Sequence, residues 1–458
     1  MPRSPSSPAF WRSPLRGPWF TSVLGVVLLV GITVLFVTGL LSYAAYNPNL
    51  SAVNDKTPDK GILGFYLFSW PTRPVWLYRL TQGVHVTLGV GLIPVLLAKL
   101  WSVVPKLFAL PPARSLAHAL ERLSLLLLVG GALFEFTTGV LNIQLDYVFP
   151  GSFYTLHFYG AWVFMAAFVT HAVLRVPTAL RNLRHIRRPS PLPSPEPGRL
   201  SSPELGPLPS PRPGPGPGPA SVSPDRAGDR AGAGEPARPE DELVSPDPLP
   251  PTVSRRGALG FVGGGSVLLV ATTAGHSFDG PLRDTALLAP HGGAEPGSGP
   301  GGFQINKTAA SRGITATETS EEAWRLVVTG KGGTVRLSRA ELQELPLRSA
   351  ALPIACVEGW STSDQWWRGV RLRDLAGLVG YEKDAAPDVL VESLQRHGAF
   401  RVAALRDNQV RDPRSLLALF VNGEDLTPDH GYPARVIVPA APGVLNTKWV
   451  ARMTFGDL

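Results

Sequence analysis

Cysteine is almost absent. Cys356 is the only one in 458 residues, so the chain forms no intramolecular disulfide. A lone thiol is a packing residue, a nucleophile or a metal ligand. Charge is also scarce, with 17% charged residues against 44% apolar ones, which is low for a globular protein. Aromatic side chains are missing from residues 189–251, where 20 of 63 residues are proline. That composition excludes a packed core and predicts an extended tether. The net charge of +8 could point to nucleic acid, but much of the basic excess flanks long apolar runs. That placement fits membrane topology and argues against a phosphate-binding surface.

Four apolar runs, 19–43, 80–104, 116–141 and 153–174, are each long enough to span a bilayer as a helix. Orientation follows from Lys and Arg. Arg3, Arg12, Arg16, Lys99, Lys106, Arg114, Arg122, Arg175, Arg181, Arg184, Arg187 and Arg188 fall on one side, and Lys56, Lys60, Arg73 and Arg79 on the other. Twelve against four predicts a cytoplasmic N-terminus and a cytoplasmic tether. Trp70, Trp76 and Tyr78 in the first outer loop read as an interfacial aromatic belt.

Four of the nine histidines, His85, His118, His157 and His171, lie in or at the ends of these runs, where ionisable groups are costly and usually functional. His157 and His171 are 14 positions apart on one helix, sharing a face about 21 Å apart in depth. His85 is level with His157 on the outer side, and His118 with His171 on the inner side. Two pairs at matching depths predict two b-type haems, each iron held by two imidazoles. Glu135, a lone carboxylate in the outer part of the third helix, is either a proton relay at a quinone site or an interfacial acid.

Ser254-Arg255-Arg256-Gly257-Ala258-Leu259, followed by a weakly apolar stretch, resembles a twin-arginine export signal placed inside the chain. It predicts a fifth membrane helix over 253–275 that the twin-arginine export machinery inserts, with the rest of the chain delivered outside. A second flexible linker is expected over 276–302. Residues 303–458 have ordinary globular composition. They read as an α+β domain, with a hairpin over 324–337, strands at 389–393, 400–404 and 435–438, and helices at 339–345, 372–379 and 413–420.

The runs Cys356-Val357-Glu358-Gly359-Trp360-Ser361, Trp367-Arg368-Gly369-Val370, Asp429-His430-Gly431-Tyr432-Pro433-Ala434-Arg435 and Asn446-Thr447-Lys448-Trp449 resemble the molybdopterin-binding core of the sulfite oxidase superfamily. The branch they most resemble is the periplasmic protein methionine sulfoxide reductase catalytic subunit. The membrane half resembles four-helix cytochrome b subunits, and the whole layout resembles actinobacterial five-helix proteins inserted by two routes. The resemblance implies that Cys356 supplies a thiolate to molybdenum. It also implies that Asn306, Lys307, Thr308, Ala309, Ala310, Ser393, His430, Arg435, Asn446, Thr447 and Lys448 hold the pterin and its phosphate.

The expected protein is multidomain. An all-α transmembrane bundle (1–188) is followed by a tether (189–252), a tether helix, a linker and the molybdopterin domain. Its expected function is a membrane-bound molybdenum oxidoreductase exchanging electrons with quinone through haem b. The expected substrate is a sulfoxide-like small molecule or oxidised protein. The alternatives are oxidation of sulfite or another small substrate, with electrons delivered to quinone, and a non-enzymatic domain without metal.

Overall fold

The computed structural model describes residues 18–50, 53, 68–107, 115–143, 153–184, 253–278, 280–288, 301–396 and 398–458. The tether expected over 189–252 lies outside the described residues, as do Arg3, Arg12, Arg16, Lys56, Lys60, Arg114, Arg187 and Arg188.

The five apolar runs form helices α1 (Pro18–Ala45), α2 (Leu77–Leu107), α3 (Leu116–Asn142), α4 (Phe153–Arg184) and α5 (Arg255–Ala271). All five are long and apolar enough to cross a membrane. A helix satisfies its own backbone hydrogen bonds, so it is the form such a run can take away from water. α1 packs on α2 and α4, and α3 packs on α4 and α2, closing a four-helix bundle with α5 outside against α2. Leu24, Leu28 and Ile32 of α1 meet Leu92 and Leu96 of α2 and Phe164 of α4 in its core. The outer faces stay apolar, with Val173 70% and Phe261 85% exposed. The Ser254 hydroxyl caps α5 by accepting a hydrogen bond from Gly257 N at 3.0 Å, so the arginine pair forms the helix's first turn.

The bundle is a duplicated hairpin. Gly31, Phe36, Thr38, Gly39 and Leu41 of α1 recur 100 positions later as Gly131, Phe136, Thr138, Gly139 and Leu141 of α3. Equivalent residues do equivalent work. A Cβ on Gly31 would meet Leu92 at 2.5 Å, and one on Gly131 would meet Phe164 at 3.1 Å. Leu92 follows His85 by seven residues, and Phe164 follows His157 by seven.

The carboxy-terminal half is sheet-rich. Its strands are β1 (Leu326–Gly330), β2 (Gly333–Leu337), β3 (Leu347–Leu352), β4 (Gln365–Arg371), β5 (Val389–Ser393), β6 (Val402–Leu405), β7 (Leu416–Val421), β8 (Glu424–Asp425), β9 (Arg435–Ile437) and β10 (Val450–Phe455). One sheet has the order β2-β1-β10-β5-β6, with β1 and β10 parallel; the other has the order β3-β4-β7-β8, with β9 also on β7. Leu326, Val328, Val391, Met453, Leu417 and Leu419, with Leu372 and Leu375 of the intervening helix Leu372–Leu378, form the core between them.

Two expectations fail here. Residues 413–420 are not helical: Leu416–Val421 is strand β7, paired on both sides and buried on both faces. A strand buried on both faces reads as a continuous apolar run, which periodicity alone does not separate from a buried helix. The linker expected over 276–302 is structured where it is described. Ala274–Ser277 and Gly280–Thr285 form 3₁₀ turns with His276 and Arg283 buried.

The halves are joined by hydrogen bonds to buried groups. Asn47, just past α1, donates to Ala404 O at 3.1 Å and Gln409 Oε1 at 2.9 Å. Trp70 Nε1 donates to Ala440 O at 2.7 Å, and Asn408 Nδ2 donates to Trp70 O at 2.9 Å.

Candidate functional site

Cys356 sits in the connection between β3 and β4. Its carbonyl accepts from Gly359 N at 3.1 Å and its amide donates to Trp360 O at 2.8 Å. Gly359 takes φ +92°, a conformation that favours glycine, and this closes the turn Cys356–Gly359. Sγ is buried and lies 3.5 Å from Glu358 Oε2, which also accepts from Trp360 Nε1 at 2.8 Å. Burial first, then the Glu358 carboxylate, pushes the Cys356 thiol up. Such a sulfur stays protonated until a strong positive charge reaches it, as a bound metal does.

Beyond Cys356 lies a group of buried cations. Lys448 Nζ donates to Lys307 O at 2.9 Å and Asp429 O at 2.7 Å, and Arg435 Nη1 donates to His430 O at 3.2 Å. Burial pulls the Lys448 ammonium far down, helped by the charges of Arg435 and Lys307. Burial also lowers Arg435 to about 9. Three buried atoms here, Arg435 Nε, Asn446 Nδ2 and Thr447 Oγ1, have no hydrogen-bond partner among the described residues. Buried polar groups are normally paired, so unmet donors beside uncompensated cations fit a polar, anionic ligand. The phosphate and heterocycle of a molybdopterin have that chemistry.

The remaining expected pterin residues divide. Asn306 and Lys307 face a cavity with Cys356. Ala309 N donates to Asp429 Oδ1 at 2.7 Å, and the Thr308 hydroxyl accepts from Ser311 N at 3.2 Å, before the turn Ala310–Arg312. Ser393 Oγ donates to Lys448 O at 2.8 Å, fixing the segment that carries the cation. His430 has both ring nitrogens engaged within the protein, Nδ1 with Thr427 Oγ1 at 2.8 Å and Nε2 with Phe303 O at 3.1 Å. These two contacts tie the turn Pro428–His430 to Phe303.

The outer histidine pair is brought together. His85 and His157 have ring centroids 6.2 Å apart with planes at 87°. A ligating nitrogen lies about 2 Å from its metal, so two imidazoles on one metal have centroids about 6 Å apart. Both tautomers follow from the hydrogen bonds. His85 Nδ1 is 3.0 Å from Leu35 O, which can only accept, and 3.0 Å from Thr38 Oγ1, whose own proton goes to Val34 O at 2.8 Å. His157 Nδ1 is 3.0 Å from Thr138 Oγ1, whose proton goes to Phe134 O at 2.8 Å, and 3.1 Å from Glu135 Oε2. Each Nδ1 therefore carries the hydrogen and each Nε2 keeps its lone pair for a metal. A Cβ at Gly39 would press on His85 Cε1 at 3.2 Å, and one at Gly139 on His157 Cε1 at 3.4 Å. These residues fit a bis-histidine haem.

Of the inner pair, His171 does not line this cavity, and the side chain of His118 lies outside the described residues. The third membrane-length segment begins at Arg122, after His118.

One cavity of about 660 Å³ is lined by His85, His157 and Glu135 from the bundle and by Lys307, Arg312, Cys356 and Glu358 from the sheet domain. Sequence reasoning missed Thr38, Gly39, Thr138, Gly139 and Arg312. For the first four the 100-residue repeat was the available signal; for Arg312 there was none.

Residues 313–457 match the family described as oxidoreductase molybdopterin binding domain. The chain is 32% identical over 133 residues to "Uncharacterized oxidoreductase YuiH" of Bacillus subtilis, covering 29% of this chain and 65% of that protein. It is 41% identical over 96 residues to "Nitrate reductase [NAD(P)H]" of Hordeum vulgare, 19% of this chain and 10% of that one. It is 29% identical over 158 residues to mitochondrial sulfite oxidase of Rattus norvegicus, 29% of each chain. The chain thus spans less than two thirds of each of these relatives. With the lone buried thiol and the cationic pocket behind it, residues 313–457 carry a molybdopterin-binding oxidoreductase domain by the family match and are similar in sequence to sulfite oxidase.

Proposed function

We propose that the chain is a membrane-bound oxidoreductase that reduces a sulfoxide-like substrate at an extracytoplasmic molybdenum centre, with quinol as the source of electrons and a b-type haem between them. The observation that carries this reading is the single cavity shared by His85, His157 and Cys356. Two redox sites that open into one space can exchange electrons without leaving the protein.

When bound, molybdopterin supplies two-electron oxo transfer. The balance is R₂SO + quinol → R₂S + H₂O + quinone, with two electrons and two protons moving from quinol to the sulfoxide oxygen. The chain's own residues hold and insulate. Cys356 gives a soft sulfur ligand. Lys448, Arg435 and the unmet donors of Asn446 and Thr447 hold the anionic end of the cofactor. Thr38 and Thr138 fix the ring nitrogens of His85 and His157. The Glu358 carboxylate, 3.5 Å from Sγ and facing the same cavity, favours an uncharged substrate over an anion such as sulfite.

Metal and haem quantification on the purified full chain is the deciding measurement. Molybdenum in the wild type that is lost in Cys356→Ser supports the reading, and wild type without molybdenum ends it. Haem reduced by quinol and reoxidised by a sulfoxide fixes the direction. Haem reduced by sulfite reverses it.

A further inference from the structure

The loop that carries Cys356 is attached to the bundle, and the attachment falls on α2, the helix of His85. Gln82 Nε2 donates to the carbonyl of Val357, the residue after Cys356. Gly359 lies directly on Val86: a Cβ built there would meet Val86 Cβ at 2.8 Å and Cγ2 at 2.9 Å. A Cβ on Gly83 would meet Ser277 Oγ at 2.7 Å, and that hydroxyl donates to Gly359 O at 2.8 Å. Residues 82, 83 and 86 form one face of α2, and His85 lies within the same turn. The far end of the loop is held by other elements. Ser361 N donates to His276 O at 3.1 Å, and Arg283 donates to Ser361 O at 2.6 Å.

Each contact has a chemical reason. A turn that presents a ligating sulfur leaves its peptide carbonyls without strand partners. Two of them, Val357 O and Gly359 O, are met by donors from the helical half. A buried carbonyl left unmet costs about 1–3 kcal/mol, so this turn is favoured when Gln82 of α2 and Ser277 of the turn Ala274–Ser277 are both beside it.

We propose that Gln82 is a positioning residue that locks the Cys356 loop to the helix of His85. The two redox sites are then held at one spacing and exchange electrons across the connection Cys356–Val357–Gln82–His85. This rests on the proposed function, since it needs both sites loaded. Its content is separate: the helical half is part of the molybdenum site, through one side-chain amide three residues before an iron ligand. Each passage carries one electron, and two passages match one sulfoxide reduced and one quinol oxidised.

The test uses the full chain in detergent with three proteins: wild type, Gln82→Leu and Ser277→Ala. Leucine keeps the bulk of Gln82 and removes its donor. Ser277→Ala removes a donor to the same loop from a residue that is not on α2 and leaves the Gln82–Val357 hydrogen bond in place. Molybdenum and haem content, the haem absorption spectrum, the electron paramagnetic resonance signal of molybdenum, and the rate of haem reoxidation on adding sulfoxide are measured. The expected result is that Gln82→Leu keeps both cofactors and the haem spectrum, shifts the molybdenum signal, and slows haem reoxidation several-fold. Reduction of sulfoxide from a small artificial electron donor should fall less. Ser277→Ala should leave haem reoxidation near wild type. Unchanged signal and rate in Gln82→Leu, or equal slowing in both variants, overturns the proposal. Wild type lacking molybdenum or haem overturns the underlying function instead, so the two failures are distinct.

Discussion

At the scale of residues, Thr38 and Thr138 are informative because nothing about them stands out in composition. Each sends its own proton to a carbonyl one turn back and presents its oxygen to a histidine on the next helix. Thr138→Val keeps the shape and removes the acceptor, as Thr38→Val does on the other side. Each is expected to retain haem while moving its midpoint potential and broadening its low-temperature spectrum, because the ring it held loses a fixed orientation. His85→Ala and His157→Ala should each abolish the outer haem, read as loss of the b-type absorption band.

His430 gives a prediction of pH dependence. Burial, with the charges of Arg435 and Lys448, holds it down at about 4, against about 6.5 unfolded. A base with a lowered folded pKa resists protonation in the folded state, so the unfolded state binds more protons. Stability should therefore fall as pH drops from about 6.5 to about 4, by up to about 3 kcal/mol at 1.36 kcal/mol per unit. Thermal unfolding of the full chain reads this. His430→Asn is expected to be less stable at pH 7 and to show a flatter slope across that window, since carboxylates shared by both proteins cancel in the comparison. An identical slope would show that the imidazole carries none of the dependence.

At the scale of elements, the bundle was legible because a bilayer-length apolar run has few alternatives. The placement of His85 level with His157 followed from helix rise and loop direction alone. The duplicated hairpin was in the sequence too, as Gly31, Phe36, Thr38, Gly39 and Leu41 against the same residues plus 100, but spacing that long escapes a search for local periodicity. β7 was not legible. Leu416-Leu417-Ala418-Leu419 has good helix formers, and only its pairing with β4 and β9 makes it a strand. The buried cations were seen as residues but not as a cluster, since Arg435 and Lys448 meet only after β9 and the segment before β10 come together. β4 also holds a position without tolerance. A Cβ at Gly369 would strike the backbone carbonyl of Leu417 and lie 2.6 Å from Ala418 Cα. Gly369→Ala must separate β4 from β7 at the centre of the second sheet, so a loss of several kcal/mol, or failure to accumulate folded protein, is expected. Gly377→Ala, with open side-chain contacts no nearer than 3.7 Å, is the matched control and should fold.

For the whole molecule, the inner haem pair and the sidedness remain as readings of the sequence, and sidedness can be tested with the feature the chain lacks. Cys356 is the only cysteine, so a Cys356→Ser background is free of thiols and any introduced cysteine is labelled alone. Thr334→Cys places a thiol on exposed strand β2 of the sheet domain. Ser223→Cys places one in the proline-rich tether. The sequence expectation is a cytoplasmic tether, from the distribution of Lys and Arg, and with α5 crossing once more it predicts the sheet domain on the other side. In intact cells a membrane-impermeant maleimide should label Thr334→Cys and spare Ser223→Cys until the cells are opened. The reverse pattern would place the molybdenum domain in the cytoplasm and remove any need for twin-arginine export. Equal labelling of both would mean that α5 does not cross, although its length and its exposed Phe261, Val267 and Leu268 suit a bilayer. Arg255→Lys with Arg256→Lys separates the routes further. If the pair is read by the export machinery, the bundle should still insert while Thr334→Cys loses its label, because α1 to α4 precede the signal and do not depend on it.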